Sequence, residues 1–123
     1  MTYARFIEWS NLPVGSEDLL RGWTLREHRE GGDTAALAIM LGTEIHCAVN
    51  PLWRHRLMQR ARIRTMLKPL LDIHGFLTTR VWLPNPLAVR FVERLGFEET
   101  WLNGRVCHFM LCDLPYGRAA KEF

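Results

Sequence analysis

The sequence predicts a single domain of the α/β (α+β) class, with a mixed central sheet flanked by about three helices. Short segments with the two-residue alternation of strands are interspersed with longer segments that repeat every three to four residues. The chain has 123 residues, 48% of them hydrophobic, which suffices for one core and is too little for two. It shows no internal repeat, low-complexity segment or linker.

The first half of the chain predicts a strand, a helix and a strand pair. Arg5–Trp9 has the composition of a short strand. Ser16 is a good N-cap for a helix that ends by Gly31, where glycine favours a turn. Ala35–Leu41 and Glu44–Val49 are short apolar runs around a tight break, which indicates two neighbouring strands. The apolar positions of the first helix are Leu19, Leu20, Trp23 and Leu25.

The longest helical pattern opens at Pro51 and ends at Gly75. Its apolar residues follow helical spacing, so one face is expected to be buried. Pro69 lacks a backbone donor and is expected to kink or divide this helix. The apolar face consists of Ile63, Met66, Leu67, Leu70 and Leu71.

A strand and a second short helix follow. Thr78–Leu83 is rich in β-branched and aromatic residues, which favours a strand. Asn85 suits the N-cap position, Pro86 suits the first helical position, and Gly96 ends the helix. Phe97–Leu102 and Val106–Leu111 then predict two strands turned at Asn103-Gly104.

The charge of the chain is concentrated in one segment. The formal net charge is +3, from 16 basic and 13 acidic residues. Residues 52–71 contain six basic residues and no acidic one, so the rest of the chain sums to −3. Such a localised basic element indicates one anionic partner, such as phosphate groups, nucleic acid or an acidic protein surface. The six are Arg54, Arg56, Arg60, Arg62, Arg64 and Lys68.

Composition excludes several protein classes. Three cysteines are few and odd in number, which argues against a disulfide scaffold, and they lack metal-ligand spacing. Cys47, Cys107 and Cys112 are therefore expected to be buried small hydrophobes. No stretch has the length of a membrane span, and the N-terminus lacks the pattern of a signal peptide, so a cytoplasmic protein is expected.

Two segments carry a more specific pattern. NPLAVRFVERLGF, from Asn85 to Phe97, matches N-x-x-A-x-x-F-Y-E-K-L-G-F at seven positions, with arginine in the basic slot. VNPLWRHRLMQ, from Val49 to Gln59, aligns without a gap with V-x-P-x-Y-R-G-x-G-x-G. Together these segments resemble the GNAT superfamily of N-acetyltransferases, and the resemblance covers roughly residues 35–112.

The resemblance implies transfer of an acetyl group from acetyl-CoA to an amine of a small molecule or a protein. Acetyl-CoA would lie between the Glu44–Val49 and Thr78–Leu83 strands, with the acetyl carbonyl oriented by backbone groups near Ala48 and Val49. Two residues of the implied cofactor-binding set also suit structural roles. His55 fits an ordinary surface position, and Asn85 fits a helix N-cap. The remaining implied cofactor-binding residues are Arg54, Arg56, Gln59 and Arg60.

The sequence departs from the superfamily pattern at two places. The three glycines of its acetyl-CoA loop, whose N–H groups hold the pyrophosphate, fall at His55, Leu57 and Gln59 here. Side chains there are expected to narrow the phosphate cradle, and nearby arginines to replace the lost contacts with charge-assisted hydrogen bonds. Val92 stands where many superfamily enzymes carry a tyrosine that protonates the departing thiolate. The chain's tyrosines, Tyr3 and Tyr116, lie near its ends.

Glu44 and His46 are the candidate catalytic residues. They lie two apart on one predicted strand, so their side chains point to the same face. The resemblance places this strand beside the reaction centre, where either residue could remove a proton from an amine. The alternative is an ordinary pair of strand residues, solvated or satisfied by hydrogen bonds.

Two other functions are open at this stage. Short glycine-poor chains that resemble this one occur in phages and prophages, and some are labelled head-assembly proteins. A non-catalytic protein of this kind would use the basic helix to meet a virion protein or another partner, and a homodimer is a further alternative. Direct nucleic-acid binding is disfavoured, because Arg60, Arg62 and Arg64 spread charge around the helix and the rest of the chain is acidic.

Overall fold

A computed structural model describes residues 3–10, 12, 15–53 and 60–112, with residues 60–62 described by their backbone alone. It divides the chain into two compact units, Met1–Met58 (the N-terminal unit) and Gln59–Phe123 (the C-terminal unit). Within these ranges lie three α-helices and six β-strands, so the predicted α+β class is confirmed. The N-terminal unit contains α1 (Tyr3–Ser10), β1 (Thr24–Glu30), β2 (Asp33–Leu41) and β3 (Glu44–Val49). The C-terminal unit contains α2 (Arg60–His74), β4 (Leu77–Trp82), α3 (Pro86–Leu95), β5 (Glu98–Asn103) and β6 (Val106–Leu111).

The N-terminal unit is built around strand β2, which pairs antiparallel with β1 on one side and β3 on the other. Every residue of the strand from Thr34 to Met40 is buried, so its side chains are covered on both faces of the sheet. Its pairing with β3 places Ile39 opposite His46 and Leu37 opposite Ala48. These four residues therefore share one face of the sheet.

Helix α1 covers that face. The sequence prediction of a strand at Arg5–Trp9 is wrong: these residues lie within the helix. Tyr3, Phe6 and Ile7 have the i, i+3, i+4 spacing of a helix face, and the short apolar run was equally compatible with either structure. The resulting core cluster consists of Phe6, Ile7, Leu20, Leu37, Ile39 and Ala48.

The predicted helix from Ser16 to Gly31 is also wrong. Only a short 3-10 helix forms, over Ser16–Leu20, and the chain then enters strand β1. Gly22, with φ of 90°, interrupts the helical course. Beyond it, the polar segment of β1 pairs with β2 as the outer strand of this unit's sheet, which tolerates charged residues.

The C-terminal unit centres on β6, which pairs antiparallel with β4 and β5. Helix α2 packs against both α3 and β4. The predicted apolar face of α2 is confirmed, since Ile63, Leu67, Leu70 and Leu71 are buried and Met66 is partly buried. The buried sheet face consists of Leu77, Thr79, Val81, Cys107, Phe109 and Leu111.

The long helix predicted from Pro51 differs from the observed elements at its start. Pro51–Trp53 form a 3-10 helix, and α2 begins at Arg60, while residues 54–59 lie outside the described ranges. Pro69 lies inside α2 without dividing it, because buried residues before and after it hold the helix against the unit. Gly75 follows the last helical residue with φ of 83°, as predicted.

Helix α3 confirms the predicted start and stop signals. The Asn85 side chain accepts a hydrogen bond from the backbone N–H of Ala88, with Oδ1 and N 3.2 Å apart, and Pro86 is the first helical residue. Gly96 ends the helix with φ of 106°. The last hairpin turns at Gly104-Arg105, one residue later than predicted, because Asn103 still pairs with Val106.

We expect Asn85→Ala to lower the free energy of unfolding by about 1 kcal/mol, because the N-terminal N–H groups of α3 lose their side-chain acceptor. Asn85→Asp keeps an acceptor oxygen and places a negative charge at the helix N-terminus, so its loss should stay below about 0.5 kcal/mol. Urea unfolding followed by circular dichroism measures both values. Equal losses in the two variants would contradict a capping role.

Candidate functional site

The two candidate catalytic residues are in direct contact at the start of β3. His46 Nε2 and Glu44 Oε2 are 2.6 Å apart, the distance of a charge-assisted hydrogen bond. The side chains of His46 and Glu44 are 25% and 21% exposed, so the pair is sheltered and still open to a ligand. The same-face placement predicted from their two-residue spacing is confirmed, and their catalytic role stays a prediction.

Trp23 packs beside this pair. Its ring centroid lies 5.6 Å from that of His46, with the ring planes inclined by 57°. The Trp23 ring also packs against the core cluster under α1, and the Tyr3 hydroxyl donates to the Trp23 carbonyl. The imidazole is therefore held on one side by a carboxylate and on another by an anchored aromatic ring. The sequence pattern does not predict this neighbour, because it places Trp23 in a helix that does not form.

The two predicted backbone contacts for the acetyl group lie at the other end of β3. Ala48 is 3% exposed, and its methyl group belongs to the core cluster. Val49 is partly buried and pairs with Ala36 of β2. The Ala48 side chain faces the core and is closed to a ligand, and the backbone contact assigned to this residue stays a prediction.

Asn50 fixes the way in which the chain leaves β3. Its N–H donates to the Ala35 carbonyl (2.9 Å), and its side-chain amide nitrogen donates to the Thr34 carbonyl (2.9 Å). Its side-chain oxygen accepts from the Leu52 N–H (3.0 Å), and its own carbonyl accepts from the Trp53 N–H (2.8 Å). Asn50 thus ties the 3-10 helix that leads into the basic segment to strand β2. The Asn-Pro dipeptide after an apolar strand is the sequence signal that could have identified it.

Most of the predicted pyrophosphate-binding residues fall outside the described ranges. This applies to Arg54, His55, Arg56 and Gln59, and of Arg60 only the backbone is described, as the first residue of α2. Further along α2, Lys68 is exposed and pairs with Asp72 one turn later, at 3.4 Å. The assignment of these residues to phosphate binding therefore stays a prediction.

Two other residues of the GNAT-like pattern are Asn85, just before α3, and Val92, within α3. Asn85 serves as the N-cap, the alternative role that the sequence left open, while its cofactor role stays a prediction. Val92 is buried in the C-terminal unit, so the position of the superfamily tyrosine provides no hydroxyl group. The Tyr3 hydroxyl is engaged with the Trp23 carbonyl, and Tyr116 lies outside the described ranges.

Cys47 and Cys107 are not activated for nucleophilic chemistry, because the pKa of each thiol is raised. Burial of the Cys47 thiol raises its pKa to about 12. Burial, together with a hydrogen bond to the Glu99 carboxylate and its charge, raises the pKa of Cys107 to about 11. Cys107 is buried as predicted, whereas the residue Cys47 is only partly buried and Cys112 is exposed, which corrects the prediction for these two. In the described part of the chain no group of three or more His, Cys, Asp or Glu residues is arranged to hold a metal ion.

None of the helices in the described ranges has the length and hydropathy needed to cross a membrane. No protein-family profile matches the chain, and no curated protein matches it.

Solved N-acetyltransferases do match the structure. The ribosomal-protein-S18-alanine N-acetyltransferase from Escherichia coli is 22% identical, and the match covers 73% of this chain and 67% of that one with a TM-score of 0.51. A chimera of the spermidine N-acetyltransferase SpeG from Vibrio cholerae and hSSAT is 18% identical, covering 95% and 93% with a TM-score of 0.66. A point mutant of the Vibrio cholerae enzyme is 17% identical, covering 98% and 92% with a TM-score of 0.65. The chain therefore has the fold of the GNAT N-acetyltransferases.

Proposed function

We propose that this protein is an N-acetyltransferase that uses acetyl-CoA and an amine acceptor, with His46 as general base and Glu44 as the residue that orients it. The observation that carries the proposal is the 2.6 Å contact between these side chains, on β3 of a chain with an N-acetyltransferase fold. A histidine held by a carboxylate is a recurrent arrangement for proton abstraction.

The hydrogen bond to Glu44 determines which imidazole nitrogen acts as the base. An ionised carboxylate accepts the proton of Nε2, which leaves the lone pair of the neutral ring on Nδ1. No group in the described part of the chain hydrogen-bonds Nδ1. Trp23 limits rotation of the ring, so Nδ1 keeps its direction. His46 can therefore receive a proton from an amine without first breaking its bond to Glu44.

In the proposed reaction the amine nitrogen attacks the thioester carbonyl of acetyl-CoA. The new N–C bond forms, the C–S bond breaks, and the amine proton passes to Nδ1 of His46. Because Val92 provides no hydroxyl group, the thiolate of coenzyme A takes its proton from water. The hydroxide left by that water is neutralised by the proton that His46 releases to solvent, so the protons balance without an acid on α3.

The basic segment is the proposed holder of the coenzyme A phosphates. Asn50 ties the 3-10 helix Pro51–Trp53 to β2, and residues 54–60 follow that helix in the sequence. Residues 52–71 contain six cations and no carboxylate, which suits the phosphates of coenzyme A. We assign the pyrophosphate contacts to Arg54, His55, Arg56, Gln59 and Arg60. Backbone groups near Ala48 and Val49, together with Asn85, complete the proposed set.

The first test measures turnover of His46→Gln. Release of coenzyme A thiol would be followed with acetyl-CoA and two acceptors that the names of the similar structures indicate, spermidine and a peptide with N-terminal alanine. We expect kcat to fall by about 100-fold or more, because the base is removed, while the Kd for acetyl-CoA measured by calorimetry stays within about 2-fold.

A matched control lies in the same unit. His28 and Glu30 also stand two residues apart on one strand, with Nε2 and Oε2 3.7 Å apart. His28→Gln removes a histidine of comparable side-chain exposure whose Nε2 makes no hydrogen bond to a described residue, and it should leave kcat unchanged. Equal effects of the two substitutions, or full activity of His46→Gln, would overturn the assignment of the base.

The second test concerns the basic segment. We expect Arg54→Ala and Arg56→Ala each to raise the Kd for coenzyme A by about 5-fold or more, because each removes a charge-assisted phosphate contact. Their Kd for S-acetylpantetheine, which lacks the diphosphate, should not change. Lys68→Ala is the control, since Lys68 pairs with Asp72 within α2. Unchanged Kd values in both arginine variants would contradict phosphate binding by this segment.

A second candidate function is a non-catalytic role on the same fold, with a protein partner such as a phage head component. Buried Val92 in the tyrosine position favours it, as do side chains at all three loop-glycine positions. Calorimetry with acetyl-CoA separates the two candidates. A Kd for acetyl-CoA in the micromolar range supports the enzyme. The partner role is supported if acetyl-CoA does not bind at high micromolar concentration and the protein co-elutes with a virion protein.

A further inference from the structure

The Glu44–His46 pair has an apolar neighbour on strand β2. The pairing of β2 with β3 places Ile39 directly opposite His46 and Leu41 directly opposite Glu44. Directly opposed residues of an antiparallel pair share one face of the sheet, so Leu41 lies beside the pair at the end of the β2–β3 hairpin. Ile39 is buried, whereas Leu41 is 53% exposed. The surface next to the pair therefore begins with an exposed aliphatic side chain.

Trp23 is a second apolar neighbour of the pair. Its ring centroid lies 5.6 Å from that of His46, and the residue is only partly buried. Trp23 is anchored, because it packs against the core cluster and its carbonyl accepts a hydrogen bond from the Tyr3 hydroxyl. A ring that is already ordered loses little conformational entropy when a ligand packs against it. Trp23 is therefore suited to bind the apolar part of a ligand.

The carboxylates on this face are already engaged. Glu44 is hydrogen-bonded to the imidazole of the pair. Glu27 of β1 accepts a hydrogen bond from the Thr34 hydroxyl and forms an ion pair with Arg29 at 3.3 Å. A polyamine carries two or more cations, and each cation that leaves water needs an acceptor of its own. The observed contacts therefore disfavour an acceptor with a second cation near the base.

Two arginines close to Trp23 in the sequence do not supply a cation beside the pair. Arg21 forms an ion pair with Asp18 at 3.0 Å. Arg26 lies opposite Ala38, on the other face of the sheet. A carboxylate on the acceptor would lose hydration here without gaining the charge of either arginine. The neighbours of the pair thus disfavour an acidic acceptor as well.

Resting on the proposed function, we propose that the acceptor is a primary amine with one amino group and an apolar body, and that Trp23 and Leu41 select it. The amine nitrogen lies against Nδ1 of His46, and its hydrocarbon body packs against Leu41 and Trp23. An aryl body gains a further contact, because its ring stacks on the indole. Acceptors with a second charged group bind less well, because that group leaves water without a partner.

Matched acceptors test the substrate class. Hexylamine and hexamethylenediamine have the same carbon chain and differ by one terminal amino group. We expect kcat/KM for hexylamine to exceed the values for hexamethylenediamine and spermidine by about 10-fold or more. From ethylamine to butylamine, kcat/KM should rise by about 4-fold for each methylene group that the site buries.

Two outcomes of this comparison have different meanings. A preference for spermidine or hexamethylenediamine, or rates that do not depend on chain length, would overturn the proposed substrate class and leave acetyl transfer by this protein in place. If none of these amines is acetylated and acetyl-CoA does not bind, the proposed function and this inference fail together.

Substitution of Leu41 tests its part in the selection. Leu41→Asp supplies a carboxylate for a second cation, so the ratio of kcat/KM for hexylamine to that for hexamethylenediamine should fall by about 30-fold or more. A ratio of two substrates does not depend on the fraction of folded enzyme. Leu102→Asp is the control, because Leu102 is also 53% exposed and lies on β5 of the C-terminal unit. An unchanged ratio for Leu41→Asp, or an equal change in the control, would contradict the role of Leu41.

Substitution of Trp23 tests the aryl contact. In Trp23→Leu, the ratio of kcat/KM for phenethylamine to that for hexylamine should fall by about 3-fold or more, because the stacking partner is removed. Any effect on the base His46 acts on both amines and cancels in the ratio. Trp9→Leu is the control, since Trp9 on α1 is also partly buried and packs against the same core cluster. A ratio that does not fall in Trp23→Leu, or falls equally in Trp9→Leu, would overturn the assignment of Trp23.

Discussion

The packing of Ala48 beneath α1 is the constraint on which the N-terminal unit depends. Ala48, Leu37 and Ile39 form the sheet side of the core cluster, and Phe6 and Ile7 form its helix side. This contact fixes which face of β3 points toward α1. Because side chains alternate along a strand, His46 and Glu44 must then lie on the same face as Ala48. One buried methyl group thus determines the direction of two polar side chains at the opposite end of the strand.

The two ends of β3 therefore have different surroundings. Its end at Ala48 is closed by the core, and its start carries a half-buried carboxylate and imidazole in contact with each other. Partial burial strengthens the interaction of such a pair and still admits a small ligand. Beyond the strand, Asn50 hydrogen-bonds backbone groups of β2 and of the following 3-10 helix, which fixes the path of the chain there.

The sequence predicted the C-terminal unit better than the N-terminal one, for physical reasons. The ends of α3 are marked by local chemistry, an Asn-Pro start and a glycine at positive φ, and its faces follow from spacing alone. In the N-terminal unit the runs are short, and helix and strand differ only in which tertiary surface covers them. Arg5–Trp9 became helical because Phe6 and Ile7 reach the sheet together, and Thr24–Glu30 became a strand because β2 offers a pairing edge.

The candidate site was likewise predictable only where local patterns determine it. Glu44 and His46 share a face because side chains alternate along a strand, and this could be predicted. The contact of His46 with Trp23 depends on a turn at Gly22 that no sequence pattern predicts. The role of Asn50 could not be predicted, because it consists of hydrogen bonds to a neighbouring strand. Local periodicity predicts which side chains share a face, and long-range packing determines which residues that face contacts.

The cap at Asn85 has a consequence for any ligand that reaches the start of α3. The carboxamide has an acceptor end and a donor end, and the oxygen is already committed to the helix. The side chain can therefore donate to an anion or a carbonyl through its amide nitrogen without giving up the cap on α3.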